Sequence, residues 1–143
     1  MKILLVEDNP GDILLAREAL KETGISDYSL HVVTDGEEAI QFLFRKEEHQ
    51  EAVRPDLVLL DLNIPKINGR KVLKRVKENA SLRTIPVIVF STSEAQHDIN
   101  SSYELHANCY VTKPVDYDEF VRVIKSIVQF WTHASRVEPQ HVS

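Results

Sequence analysis

One cysteine, Cys109, is all the thiol this 143-residue chain carries. That excludes an intramolecular disulfide and any CxxC redox or metal motif. No apolar run approaches the roughly 20 residues that a membrane-spanning helix needs. The first apolar run, Ile3-Leu4-Leu5-Val6, is far shorter than a signal-peptide core and ends in the acids Glu7 and Asp8. The expected compartment is therefore cytoplasmic, with no membrane partner. Cations are in deficit, and the formal net charge is -5. Phosphate backbones call for a basic stripe, so no nucleic acid is expected as the main partner. The six histidines, His31, His49, His97, His106, His133 and His141, show no HxxxH ligand spacing. They read as ordinary surface or core residues, and Cys109 as a small strand residue.

What is present is a regular alternation. Short apolar runs at Ile3–Val6, Leu57–Leu60 and Val87–Phe90 suit strands buried on both faces. Weaker strands are predicted at Leu30–Val33 and Cys109–Val111. Helices are predicted between them: from Pro10 to about Glu22 with Gly24 as its stop, from Glu37 to about Glu48, and one carrying Val72, Leu73 and Val76 inward. A fourth runs from about Glu94 to His106 with Ile99 and Leu105 inward, and a last one starts near Asp116. Asn9 and Pro10 suit a helix start. β-α repeated about five times implies an α/β fold with a parallel sheet covered on both faces and right-handed crossovers. With the strong strands central, the order is the flavodoxin-like, doubly wound 2-1-3-4-5, which puts the ends of strands one and three side by side. One domain over residues 1–131 is expected, then a polar tail over 132–143 with no output domain.

The strand ends carry chemistry. Strand one ends in Glu7-Asp8, strand three in Asp61, strand four in Ser91 and strand five in Lys113. Three carboxylates in one crevice repel each other unless a cation joins them. Mixed carboxylate, carbonyl and water ligation is what Mg²⁺ prefers. The carbonyl of Asn63, two residues past Asp61, is within reach of the same ion. A carboxylate beside Mg²⁺, a lysine and a hydroxyl is a site that receives a phosphoryl group, with Asp61 the nucleophile. Lys113 and the metal neutralise phosphoryl charge, and Ser91 donates to a phosphoryl oxygen.

With Glu7-Asp8, Asp61 in Asp-Leu-Asn-Ile-Pro, Gly69, Ser91 and Lys113-Pro114 in this order and spacing, the chain resembles the receiver domains of two-component response regulators. The likeness covers roughly the first 130 residues. The wording Val-Glu-Asp-Asn-Pro-Gly-Asp and Val-Phe-Ser-Thr-Ser is similar to the subgroup that partners cyanobacterial phytochrome kinases. The resemblance implies a phosphoryl donor on a sensor histidine kinase, Asp61 as acceptor, and Glu7, Asp8 and the Asn63 carbonyl around Mg²⁺. It also implies a switch through Ser91 and an inward-turning Tyr110, rate-tuning positions at Asn63 and Ser93, and a cis Lys113-Pro114 bond. The stretch from Val33 to Asp56 looks longer than a minimal receiver needs, and is a candidate for partner specificity.

Apolar residues of the last helix, among them Phe120, Ile124, Ile127, Phe130 and Trp131, spread over roughly 180° at helical periodicity. A core stripe needs only about 100°. Either the helix is deeply packed, or one flank forms a homodimer or partner face. Two rival functions use similar parts. A haloacid dehalogenase-type phosphatase needs Asp-x-Asp on the first strand, which Glu7-Asp8 does not supply. A flavin carrier of the same topology needs a Ser/Thr/Gly-rich loop after that strand.

Overall fold

A computed structural model describes residues 1–134 of the chain. Its elements alternate as β1 (Lys2–Val6), α1 (Pro10–Glu22), β2 (Ser29–Val33), α2 (Gly36–Leu43), β3 (Leu57–Leu60), α3 (Gly69–Glu78), β4 (Val87–Ser91), α4 (Gln96–Glu104), β5 (Cys109–Thr112) and α5 (Tyr117–Gln129). All strand pairs are parallel, and the order is β2-β1-β3-β4-β5, as the run strengths predict. Side chains alternate across each strand, so the sheet serves two cores. Leu4, Val6, Val58, Leu60, Val87 and Val89 face α2 and α3. Ile3, Leu5, Leu57, Leu59, Ile88 and Phe90 face α1 and α5. Every residue of β3 and β4 is buried, whereas β2 and β5 are largely half-exposed edges.

Four helices start on a side-chain cap that accepts a backbone N–H two or three residues into the helix. These caps are Asn9 for α1, Asp35 for α2, Asn68 for α3 and Asp116 for α5. Gly24 stops α1 with φ of 76°, as expected. The other stops differ from the sequence expectation. α2 ends at Leu43, not near Glu48. Arg45 takes the left-handed conformation (φ 55°), its N–H reaches Phe42 O, and the N–H of Lys46 reaches Gln41 O. That is a Schellman stop with arginine in the glycine position. α4 ends two residues early in the same way, with His106 left-handed at φ 69° and its N–H on Tyr103 O, and Ala107 N on Ser102 O. A short 3₁₀ turn at Glu47–His49 follows α2. There His49 and His31 pack around Phe42, the His31 and Phe42 rings stacking 4.4 Å apart.

Other details also depart from expectation. No peptide bond among the described residues is cis, so Lys113-Pro114 is trans. An X–Pro bond prefers trans by about 0.5–1 kcal/mol. The fully buried residue of α4 is Ser102, while Ile99 and Leu105 are half-buried. The chain does not leave its helix at Thr132, since a π-helical turn carries it from Phe130 to Ala134. The rest of the predicted tail, including His141, lies outside the described residues. Phe120 and Ile124 are buried on α5, and Ile127 and Trp131 are half-buried against the same core. Phe130 alone of the five candidate face residues is exposed. The wide apolar arc is therefore mostly core, because α5 packs on both the sheet and α1.

Candidate functional site

Backbone ladders bring the site to one rim. The N–H of Glu7 bonds Val33 O, that of Asp61 bonds Val6 O, and that of Lys113 bonds Ser91 O. Each side chain therefore emerges just past the carboxyl end of its strand. Carboxylate oxygens of Glu7, Asp8 and Asp61 lie within 4.8 Å of one another. Glu7 and Asp61 are 2% and 7% exposed, and Asp8 faces solvent. The turn after Asp61 is held from two sides. Asn63 N–H donates to Asp61 Oδ1 at 3.0 Å. Gly69, at the start of α3, lies so close to Asp61 O and Leu62 Cα that a Cβ there would collide with both. Gly36 touches the Ile67 carbonyl just as closely and donates its N–H to Pro65 O, clamping the same loop to α2.

Lys113 is 7% exposed and sits among three acids. Its Nζ donates to Asp61 Oδ2 and Asp12 Oδ2 at 2.8 Å, and to Glu7 Oε1 at 2.5 Å. Asp12 is the functional contact that sequence reasoning missed. In Asn-Pro-Gly-Asp it reads as a favourable charge in a helix's first turn, and nothing local signals that α1 aims it at the rim. Burial pushes the Glu7 carboxyl up to about 7, with the Asp61 charge adding to the rise and Lys113 and the Asn9 N–H opposing it. Burial works to lower the Lys113 ammonium, but the hydrogen bonds it donates to Asp12, Asp61 and Glu7 outweigh that and hold the amine above its usual range.

The donor set suits a hard divalent cation. It is all oxygen, it carries more negative charge than one lysine balances, and Asp8 makes none of the described side-chain hydrogen bonds. Ser91 is fully buried at the end of β4, and its Oγ accepts the Ser93 N–H at 3.3 Å, leaving its own proton free to be donated. Its neighbour Thr92 is exposed. Tyr110 already turns inward, its hydroxyl donating to Ser93 O at 2.9 Å. Ser93 Oγ in turn donates to Asp98 Oδ2, and Asp98 pairs with Arg70 of α3. The switch candidates Ser91 and Tyr110 thus meet at one loop, which polar bonds tie to α3 and α4.

A family model described as the response regulator receiver domain matches residues 3–125. The chain is 44% identical over 129 residues to Response regulator Rcp1 of Synechocystis sp., covering 90% of this chain and 87% of that protein. Among solved structures it is similar to the phosphorylated cyanobacterial phytochrome response regulator RcpA (TM-score 0.93, 43% identity, 96% of this chain and 98% of that one). It is also similar to the Mn²⁺-bound form of Rcp1 (TM-score 0.92, 41% identity, 96% and 99% covered).

Proposed function

This chain belongs to the response regulator receiver domain family, and from that premise we propose that Asp61 takes a phosphoryl group from the phosphohistidine of a sensor kinase. The observation that carries the proposal is the Lys113 amine held by Glu7, Asp12 and Asp61, with the Asp8 carboxylate beside Glu7 and Asp61. An Asp61 carboxylate oxygen attacks phosphorus, the P–O bond forms as the P–N bond to imidazole breaks, and the imidazole leaves. Lys113 Nζ already lies against Asp61 Oδ2, so it meets the incoming phosphoryl oxygens without a change of place. The Ser91 proton is available to another of them, and Asn63 N–H steadies Asp61 Oδ1. Glu7, Asp8, Asp61 and the Asn63 carbonyl would hold Mg²⁺, which supplies positive charge where phosphoryl negative charge collects. The likeness to RcpA and Rcp1 supports a phytochrome kinase as the donor. The haloacid dehalogenase alternative has no support in the family match.

The test is incubation with Mg²⁺ and a small phosphodonor, read by intact mass. One phosphate per chain is expected, and none after chelation. The pH dependence follows from Glu7. A carboxyl raised from 4.5 to about 7 binds its proton more tightly in the folded state. In metal-free protein it therefore contributes stability below about pH 4.5 that is lost as pH rises through 7. Mg²⁺ needs the ionised form, so its binding releases that proton and strengthens with pH. Thermal melts with and without Mg²⁺ are expected to show a metal-induced rise in Tm that grows between pH 6 and 8, and a flat or falling profile would refute this.

We also propose a homodimer through α5, resting on the exposure of Phe130 next to Trp131. Sedimentation at high micromolar concentration is expected to show dimer that Phe130→Glu abolishes. A wild-type monomer, with and without a phosphoryl analogue, would end that idea.

A further inference from the structure

Charge is unevenly spread in this acidic chain. From residue 66 to 83 the only acid is Glu78, against seven lysines and arginines. The macrodipole accounts for Arg75 and Lys77 in the last turn of α3. It also favours Arg45 and Lys46, which are exposed just past the C-terminal end of α2, but it does not account for the exposed Lys71 and Lys74 earlier in α3. Arg45, Lys46 and Arg75 gather at a groove of about 340 Å³ just beyond the C-terminal end of α3, at the opposite end of the strands from Asp61. Its floor is apolar, made by Leu43, Phe44 and Leu82, and its rim includes Arg45 and Arg54. The half-buried Phe44 ring carries the Arg75 guanidinium 5.1 Å and the Lys46 amine 5.8 Å from its centre. Arg54 is anchored at its tip to Ser81 O and Thr84 Oγ1, yet its buried Nε–H has no hydrogen-bond acceptor among the described residues.

We propose that this groove docks an acidic segment of a partner protein. One aliphatic or aromatic side chain of that segment seats on Phe44 and Leu82, and flanking carboxylates meet Arg45, Arg54 and Arg75. The chemistry favours carboxylates on a peptide over a nucleic acid. The patch is short, and the whole chain carries a net charge of -5, whereas a nucleic-acid backbone calls for an extended basic stripe. A mixed apolar floor and guanidinium rim instead matches the anchor-and-flank pattern of peptide recognition. The site is separate from the phosphoacceptor, so its failure and that of the proposed function are distinguishable.

The probe is a short blocked peptide with a single leucine amid glutamates and aspartates, titrated into the ¹⁵N-labelled full chain. Amide shifts are expected at Phe44, Arg45, Arg54 and Leu82. The combined variant Arg45→Glu/Arg75→Glu is expected to weaken binding roughly tenfold or more, as is leucine to alanine in the peptide. Phosphate uptake at Asp61 stays at the wild-type level in that variant. Four outcomes overturn the proposal: no shifts at those residues, unchanged affinity in the variant, tighter binding of a single-stranded oligonucleotide, or the same shifts produced by self-association without peptide.

Discussion

Asp61→Asn is expected to take phosphate uptake from one group per chain to none, in the intact-mass assay with Mg²⁺ and a small phosphodonor. The amide keeps the shape and can still accept from Lys113, but it has no carboxylate lone pair to form an acyl phosphate. The same change removes one of three clustered carboxylates, and Mg²⁺ affinity is expected to fall more than about tenfold. A second readout follows from the neighbouring acid. The Asp61 charge is one of the causes that raise Glu7, so in the variant Glu7 titrates lower than in wild type. Titration of the Glu7 carboxyl by NMR in metal-free protein checks this. Asp8→Asn is expected to weaken Mg²⁺ binding and slow uptake but leave Asp61 as the acceptor. A phosphate gain that survives Asp61→Asn would move the acceptor to another acid of the cluster, and Asp12 would be the first to examine.

Lys113→Met is expected to be the most damaging single change to the metal-free protein. The methionine fills the same channel, but Glu7, Asp12 and Asp61 lose the cation at which all three point. Removing one partner of a buried ion pair typically costs about 3–5 kcal/mol. The cost grows with pH, because Lys113 helps to keep the Glu7 carboxyl low and its loss raises that group further; at low pH Glu7 keeps its proton and the repulsion falls. Mg²⁺ places positive charge back among the same acids, so it is expected to raise the Tm of the variant by more than that of wild type. Phosphate uptake does not recover with stability, because a donor aimed at the phosphoryl oxygens is gone. Loss of one such donor typically slows a transfer about 10²–10³-fold. Urea unfolding at pH 6 and pH 8, with and without Mg²⁺, separates the two effects. Equal stability of variant and wild type at pH 8 without metal would contradict the account.

The strand ends were legible because they need only two facts: a strand's period and the order of a doubly wound sheet. Those facts put Glu7, Asp8, Asp61, Ser91 and Lys113 on one rim, and the chain does so. Helix ends were harder. Gly24 announces the end of α1, whereas Arg45 and His106 take the same left-handed turn without a glycine to mark it. An arginine or histidine has no local signature for that conformation, and what holds it is the pair of backbone hydrogen bonds closing each stop. Asp12 stayed hidden for a related reason, since its partner lies 101 residues away and is met only through the packing of α1. The breadth of the apolar arc on α5 was visible, but not that α1 would cover one flank of it. Periodicity counts how many side chains seek burial and is silent on how many neighbours arrive to bury them.

The polar holding of α4 has a consequence for how this molecule loosens. Its interior residue is Ser102, whose hydroxyl donates to Asp98 O. Its front end is tied by Ser93 to Asp98 and by Arg70 to Asp98 and Ser101. Letting this helix go wets little apolar surface, and the denaturant slope of an opening scales with the surface it exposes. Amides of α4 are therefore set to exchange with solvent by a small, local fluctuation that urea barely accelerates. Those of β3 and β4, buried on both faces, must wait for the whole chain to come apart and follow urea steeply. The loop between β4 and α4, whose Ser93 bonds both Ser91 and Tyr110, thus sits at the border between the least and the most reluctant parts of the molecule.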